Sequence, residues 1–184
     1  HSLDQDYEMA PEFVWNDISE LGGELDLDDT GYSSENEGVE GVSVIVDLPF
    51  TFRFYDQDYE TMTVCSNGWV AMGGNTENIT GVNGPIPSAL GPENKIALFW
   101  TDLYNHWSGS NFGHCYDWYD DDNGLYYIQW DNFQHVGNPF SSNYFQLVLR
   151  DPEVWETSNG NAEILIYYEE IITDLARNEL KSYK

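Results

Sequence analysis

Residues 42–55 read VSVIVDLPFTFRFY. In an extended chain Val42, Val44, Val46 and Leu48 share one face and Ser43, Ile45 and Asp47 the other. Phe50, Phe52 and Phe54 then alternate with Thr51, Arg53 and Tyr55. Side chains of a strand switch faces at every residue, so a period of two predicts a strand with one buried side. Pro49 lacks the N–H that a central ladder needs, and it punctuates the stretch into one long strand or two.

The same period recurs further on. Phe145, Leu147 and Leu149 oppose Tyr144, Gln146, Val148 and Arg150, and Ala162, Ile164, Ile166 and Tyr168 oppose Glu163, Leu165 and Tyr167. Three Asn-Gly pairs, Asn67-Gly68, Asn123-Gly124 and Asn159-Gly160, lie between strand-like runs. Tight hairpin turns need positive φ at their central residues, so these pairs predict antiparallel connections. Residues 73–91, GGNTENITGVNGPIPSALG, are rich in turn formers and predict a long surface loop. A helical spacing is visible only near the end, at Ile171, Ile172, Leu175 and Leu180, where a short C-terminal helix is expected. The expected fold is all-β: a two-sheet antiparallel β-sandwich of roughly eight to ten strands, its topology open between jelly-roll and immunoglobulin-like. Residues 11–176 are expected to form one domain, with 1–10 a disordered N-terminus and 177–184 a C-terminal tail.

Composition narrows the function. Against 33 Asp and Glu there are 6 Lys and Arg, a formal net charge of -27. Nucleic-acid binding depends on basic side chains that displace counterions, so this balance argues against a nucleic-acid partner. Aromatic content of 16% is too high for a disordered acidic chain, and the protein is expected to fold. No run approaches the ~20 apolar residues of a membrane span, so direct membrane insertion is not expected. The chain opens on His1-Ser2 without an initiator Met, and an export signal would not be visible in it.

Catalytic motifs are missing: no G-x-S-x-G, H-E-x-x-H, P-loop or dinucleotide fingerprint occurs, and an enzyme is not expected. Two acidic stretches, Asp26, Asp28 and Asp29 before Gly31 and Asp120, Asp121 and Asp122 before Asn123-Gly124, are candidate calcium ligands. Calcium takes six to eight oxygens from such loops, although neither stretch has EF-hand spacing and solvated turns are the simpler explanation of both. His106, His114 and Cys115, with Asp102 or Asp117, match no familiar transition-metal spacing. Trp107 and Trp118 stand in polar surroundings and are candidate ligand-binding aromatics for a glycan or protein. Cys65 and Cys115, each beside a strand, are expected either to bridge the two sheets, if they come within reach, or to pack as two ordinary buried thiols.

Taken in order, Trp15-Asn-Asp-Ile-Ser19, Leu48-Pro-Phe-Thr-Phe-Arg-Phe-Tyr55, Val64-Cys-Ser-Asn-Gly-Trp-Val70 and Ile96-Ala-Leu-Phe-Trp-Thr-Asp102 resemble a bacterial β-sandwich module. That module is attached to secreted peptidases and surface proteins, and the latter half of the chain is similar to nidogen-type extracellular domains. The resemblance covers about residues 13–170 and transfers no catalytic residues. It implies a non-catalytic accessory module, secreted or at the cell surface, whose partners are the other domains of its parent protein. One departure is Asp56, where the family's pattern has Gly after the Tyr; Asp tolerates a left-handed backbone better than most residues. Two rival readings are a carbohydrate-binding module that uses exposed aromatics and an acidic halophilic hydrolase fragment.

Overall fold

A computed structural model describes residues 13–29, 41–75, 81, 83–86, 92–107, 110–136 and 138–172, with the backbone alone at Trp107, Ser110, Asn111 and Pro139. The expected terminal helix from Leu175 onward and both expected tails lie outside these residues. Twelve strands follow in chain order. They are β1 (Gly23–Leu25), β2 (Ser43–Phe54), β3 (Gln57–Cys65), β4 (Trp69–Met72), β5 (Lys95–Ala97), β6 (Leu103–Tyr104), β7 (His106–Trp107), β8 (Ser110–Asn111), β9 (His114–Asp120), β10 (Leu125–His135), β11 (Asn138–Arg150) and β12 (Ile164–Glu170).

The small sheet has the order β2-β3-β4-β5, and the large sheet the order β1-β9-β10-β11-β12 with β6 against the far end of β10; β7 and β8 form a separate ribbon. All of these ladders are antiparallel. Apart from β1 and β6, each sheet is a meander of consecutive strands. Strands that alternate between sheets, as in a jelly roll or an immunoglobulin domain, are not what orders this sandwich.

The opening stretch is one strand, with its register shifted between Asp47 and Phe52, around Pro49. Val46, Leu48 and Phe52 face the large sheet's Ile128, Trp130, Phe145, Leu147 and Leu149, and together they form the main core. Fully burying each such side chain contributes ~1.5–3 kcal/mol.

Two smaller clusters lie on the outer faces. Cys65, Trp69, Ala71 and Trp100 cover the back of the small sheet. Ile18, Tyr127 and Val148, with Trp118 and Tyr167 half-buried beside them, cover the back of the large one. This accounts for the aromatic content: rings fill three apolar layers. It also explains why β10 is apolar on both faces, Tyr126 and Ile128 inward and Tyr127 outward.

The turns correct one expectation. Gly68, Gly124 and Gly160 have φ of 72°, 61° and 73°, while the Asn before each keeps negative φ, so none of the three pairs is the two-residue turn with both φ positive. That turn is at Tyr55-Asp56, φ 47° and 60°, between Phe54 and its partner Gln57. Asp56 thus takes the left-handed conformation that Gly would have taken, and Asn161 Oδ1 accepts its N–H at 3.0 Å.

Candidate functional site

The motif residues meet at one end of the sandwich. Gly68, at the β3–β4 turn, lies so close to the chain after β5 that a Cβ there would stand 2.2 Å from the Phe99 carbonyl oxygen. Across this contact Phe99 N–H donates to Gly68 O at 2.9 Å, and Asn67 Oδ1 accepts Leu103 N–H at 2.9 Å. Ser66 Oγ accepts the Val42 N–H and donates to Asp29 Oδ2 at 2.6 Å. The Asp29 N–H in turn donates to Asn105 Oδ1, and its carbonyl accepts the N–H groups of Asn105 and His106. Asp29, Ser66, Asn67 and Asn105 are all at most 4% exposed. Buried polar groups must be paired to be tolerated, and this network ties four separate segments together.

Asp102 sits beside this network. Burial, then the Asp29 charge, pushes its carboxyl up to about 6, and among the described residues its buried Oδ1 has no hydrogen-bond partner. Thr101 Oγ1 meets His135 Nε2 at 2.9 Å on the flank.

Asp29 is engaged with Ser66, while Asp26 and Asp28 are exposed. Asp120 Oδ2 accepts Asn123 Nδ2 within the β9–β10 turn, and Asp121 and Asp122 are exposed. Among the described residues no three His, Cys, Asp or Glu side chains converge to hold a metal ion. His114 pairs with Glu24 and stacks on Tyr116, whereas the next residue, Cys115, points into the main core.

The bridge expected between Cys65 and Cys115 is not formed, and both side chains are buried as thiols. Strand alternation supplies the reason: Val64 faces the main core, which turns Cys65 outward onto Trp69 and Trp100, away from Cys115. Burial pushes the Cys65 thiol up to about 12 and the Cys115 thiol well above its ordinary value, so neither is a thiolate at neutral pH. On the same outer face Lys95 Nζ lies 3.4 Å from the ring centre of Trp100 and 5.0 Å from that of Trp69. Desolvation lowers its amine to about 8, while the indole faces favour the charged form.

Trp118 is not in a loop. It lies on β9, half-buried, and stacks at 5.7 Å on Tyr127, its partner across the ladder. Trp107 is in the short β7–β8 ribbon, paired with Ser110. Its side chain lies outside the description.

Residue numbers 13–19 run across the back of the large sheet as a strap. Gln129 and Gln146, opposite each other on β10 and β11, are its receptor. Gln129 Oε1 accepts Ile18 N–H at 3.1 Å and its Nε2 donates to Asp17 Oδ1 at 2.9 Å. Gln146 Nε2 donates to Asn16 O and to Gln129 Oε1, both at 2.9 Å. Ile18 is wholly buried against Tyr127 and Val148, and Phe13 meets Tyr167 edge-on at 5.9 Å. Gln129 lowers the Asp17 carboxyl, while burial, then Asp17, raises Asp131 and Glu169 nearby.

Burying Ile18 contributes ~1.5–3 kcal/mol and each neutral hydrogen bond ~0.5–1.5, against ~1–2 kcal/mol for ordering each of the seven residues.

Neither the loop network nor the glutamine pair was singled out from the sequence. A signal for the pair exists in hindsight: Gln129 and Gln146 occupy the same outward positions as Tyr127 and Val148, polar groups on a face too apolar for water.

A sandwich of two antiparallel sheets, closed at one end by interlocked Asn-Gly and aromatic loops, defines an all-β domain. A family model described as NIDO related matches residues 26–168, and the chain belongs to this nidogen-related family. No curated protein and no solved structure matches the chain.

Proposed function

We propose that this chain is a non-catalytic accessory domain of a larger secreted or cell-surface bacterial protein, accompanying a peptidase or an adhesive domain and contacting protein partners. The observation that carries the reading is the nidogen-related match over residues 26–168, which spans both sheets. The surface chemistry supports it. A net charge of -27 repels phosphate backbones and anionic lipid, which leaves proteins, glycans and cations as compatible partners. Among the described residues no helix is long and apolar enough to cross a membrane.

The test is made in the producing cells. The chain should be recovered from the medium, or released by protease from intact cells. Removing the domain from its parent should change the neighbouring domain's KM or attachment and leave kcat intact. Recovery from the cytosol alone would overturn the extracellular reading, and turnover by the isolated chain would overturn the non-catalytic one.

A further inference from the structure

The back of the large sheet holds a peptide in a manner that does not require the peptide to be its own. Gln129 and Gln146 read three successive positions of the strap: the carbonyl of Asn16, the carboxylate of Asp17 and the N–H of Ile18. An apolar socket of Tyr127 and Val148 then takes the Ile18 side chain. Main-chain hydrogen bonds that supply affinity and side-chain pockets that supply specificity are the recurring terms of peptide recognition.

The strap precedes the family match, which begins at residue 26, while every receptor side chain lies within it. Both Nε2 contacts of Gln146 go to acceptors, which sets its amide orientation, and among the described residues its buried Oε1 has no hydrogen-bond partner.

We propose that the outer face of the large sheet, built on Gln129, Gln146, Tyr127 and Val148, is a peptide-recognition site. The strap fills it in cis, and the same segment of a second copy of this chain can fill it in trans. The strap turns back at once through Leu21 and Gly22, whose N–H groups both donate to Ile18 O, and a short hinge of this kind favours exchange between copies. Because each copy carries a charge of -27, exchange is resisted at low salt and promoted as salt screens the repulsion.

Ile18→Asp in the full chain removes the apolar anchor and vacates the site. A labelled peptide covering Phe13–Glu20 should bind this variant at least about 10-fold more tightly than the wild type, whose own strap competes. A peptide carrying Ile18→Asp should bind neither. Wild-type chain mixed with the variant should form a heterodimer by light scattering, more of it at high salt. A folded variant that binds neither peptide nor wild-type chain overturns the proposal. Should Ile18→Asp fail to fold, hydrogen exchange on the wild type decides. The Ile18 amide should exchange at least about 100-fold faster than those of Ile128 and Leu147, reporting local opening, and equal rates overturn the proposal.

Discussion

Asn67-Gly68 and Asn159-Gly160 are the same dipeptide in the same conformation, with Gly φ of 72° and 73°, at opposite levels of consequence. A Cβ on Gly68 would stand 2.2 Å from a backbone carbonyl, whereas one on Gly160 would meet nothing within 4 Å. Asn67 is wholly buried and holds Leu103 in place, while Asn159 is exposed and its side chain serves its own turn, accepting the N–H of Asn161. The first turn joins segments that are far apart in sequence and the second only reverses the chain. Identical local chemistry therefore carries different weight according to what the rest of the fold brings against it.

The largest effect is expected at the interlocked turn. Gly68→Ala combines the left-handed penalty with a clash against a carbonyl that cannot move without breaking the Phe99 hydrogen bond, and should cost about 3 kcal/mol or more. Gly160→Ala meets only the penalty, about 1 kcal/mol. Urea unfolding of the two variants reads the difference, and equal losses would break the comparison.

Next comes the network beneath the turn. Asp29→Ala strands the buried Ser66 hydroxyl and should cost about 2 kcal/mol, whereas Asp26→Ala, on an exposed side chain, should stay within about 0.5 kcal/mol. Thermal unfolding that ranks the two alike would remove Asp29 from the network.

Asp102 gives a smaller, pH-dependent effect. Its folded carboxyl, raised to about 6 from 3.8, holds its proton more tightly than in the unfolded chain. Its stabilising contribution is complete below the unfolded value and is lost as pH rises through about 6. Asp102→Asn should therefore gain stability relative to wild type on going from about pH 4 to about pH 7, by ~1 kcal/mol after allowing for its partial exposure to solvent. A flat difference across that range would show that its burial has no energetic consequence.

The smallest difference is expected from cations. Calcium, if held by the oxygen-rich stretches 26–29 and 120–122, should raise the melting temperature more than sodium at matched ionic strength, and equal shifts would leave screening alone. A larger calcium shift, blunted by Asp26→Asn with Asp28→Asn or by Asp120→Asn with Asp122→Asn, would establish a site at those loops.

The sequence by itself determined the strands and the two-sheet architecture. Alternation in 42–55 and 144–150 is local physics, since a pleated strand with one buried face can be written in hardly any other way. It also determined that Gly68, Gly124 and Gly160 would sit at turns, because few other residues take positive φ at low cost. Tertiary structure alone decided which face of each strand would meet what. The outward turn of Cys65 away from Cys115 depends on Val64 being claimed by the core. The commitment of Asp29 to Ser66, 37 residues away, and the reading of Ile18 by Gln129, 111 residues away, join side chains that no local pattern relates. Such pairings exist only once two sheets have closed, because burial, by removing water as a partner, makes each polar group depend on whichever neighbour the fold supplies.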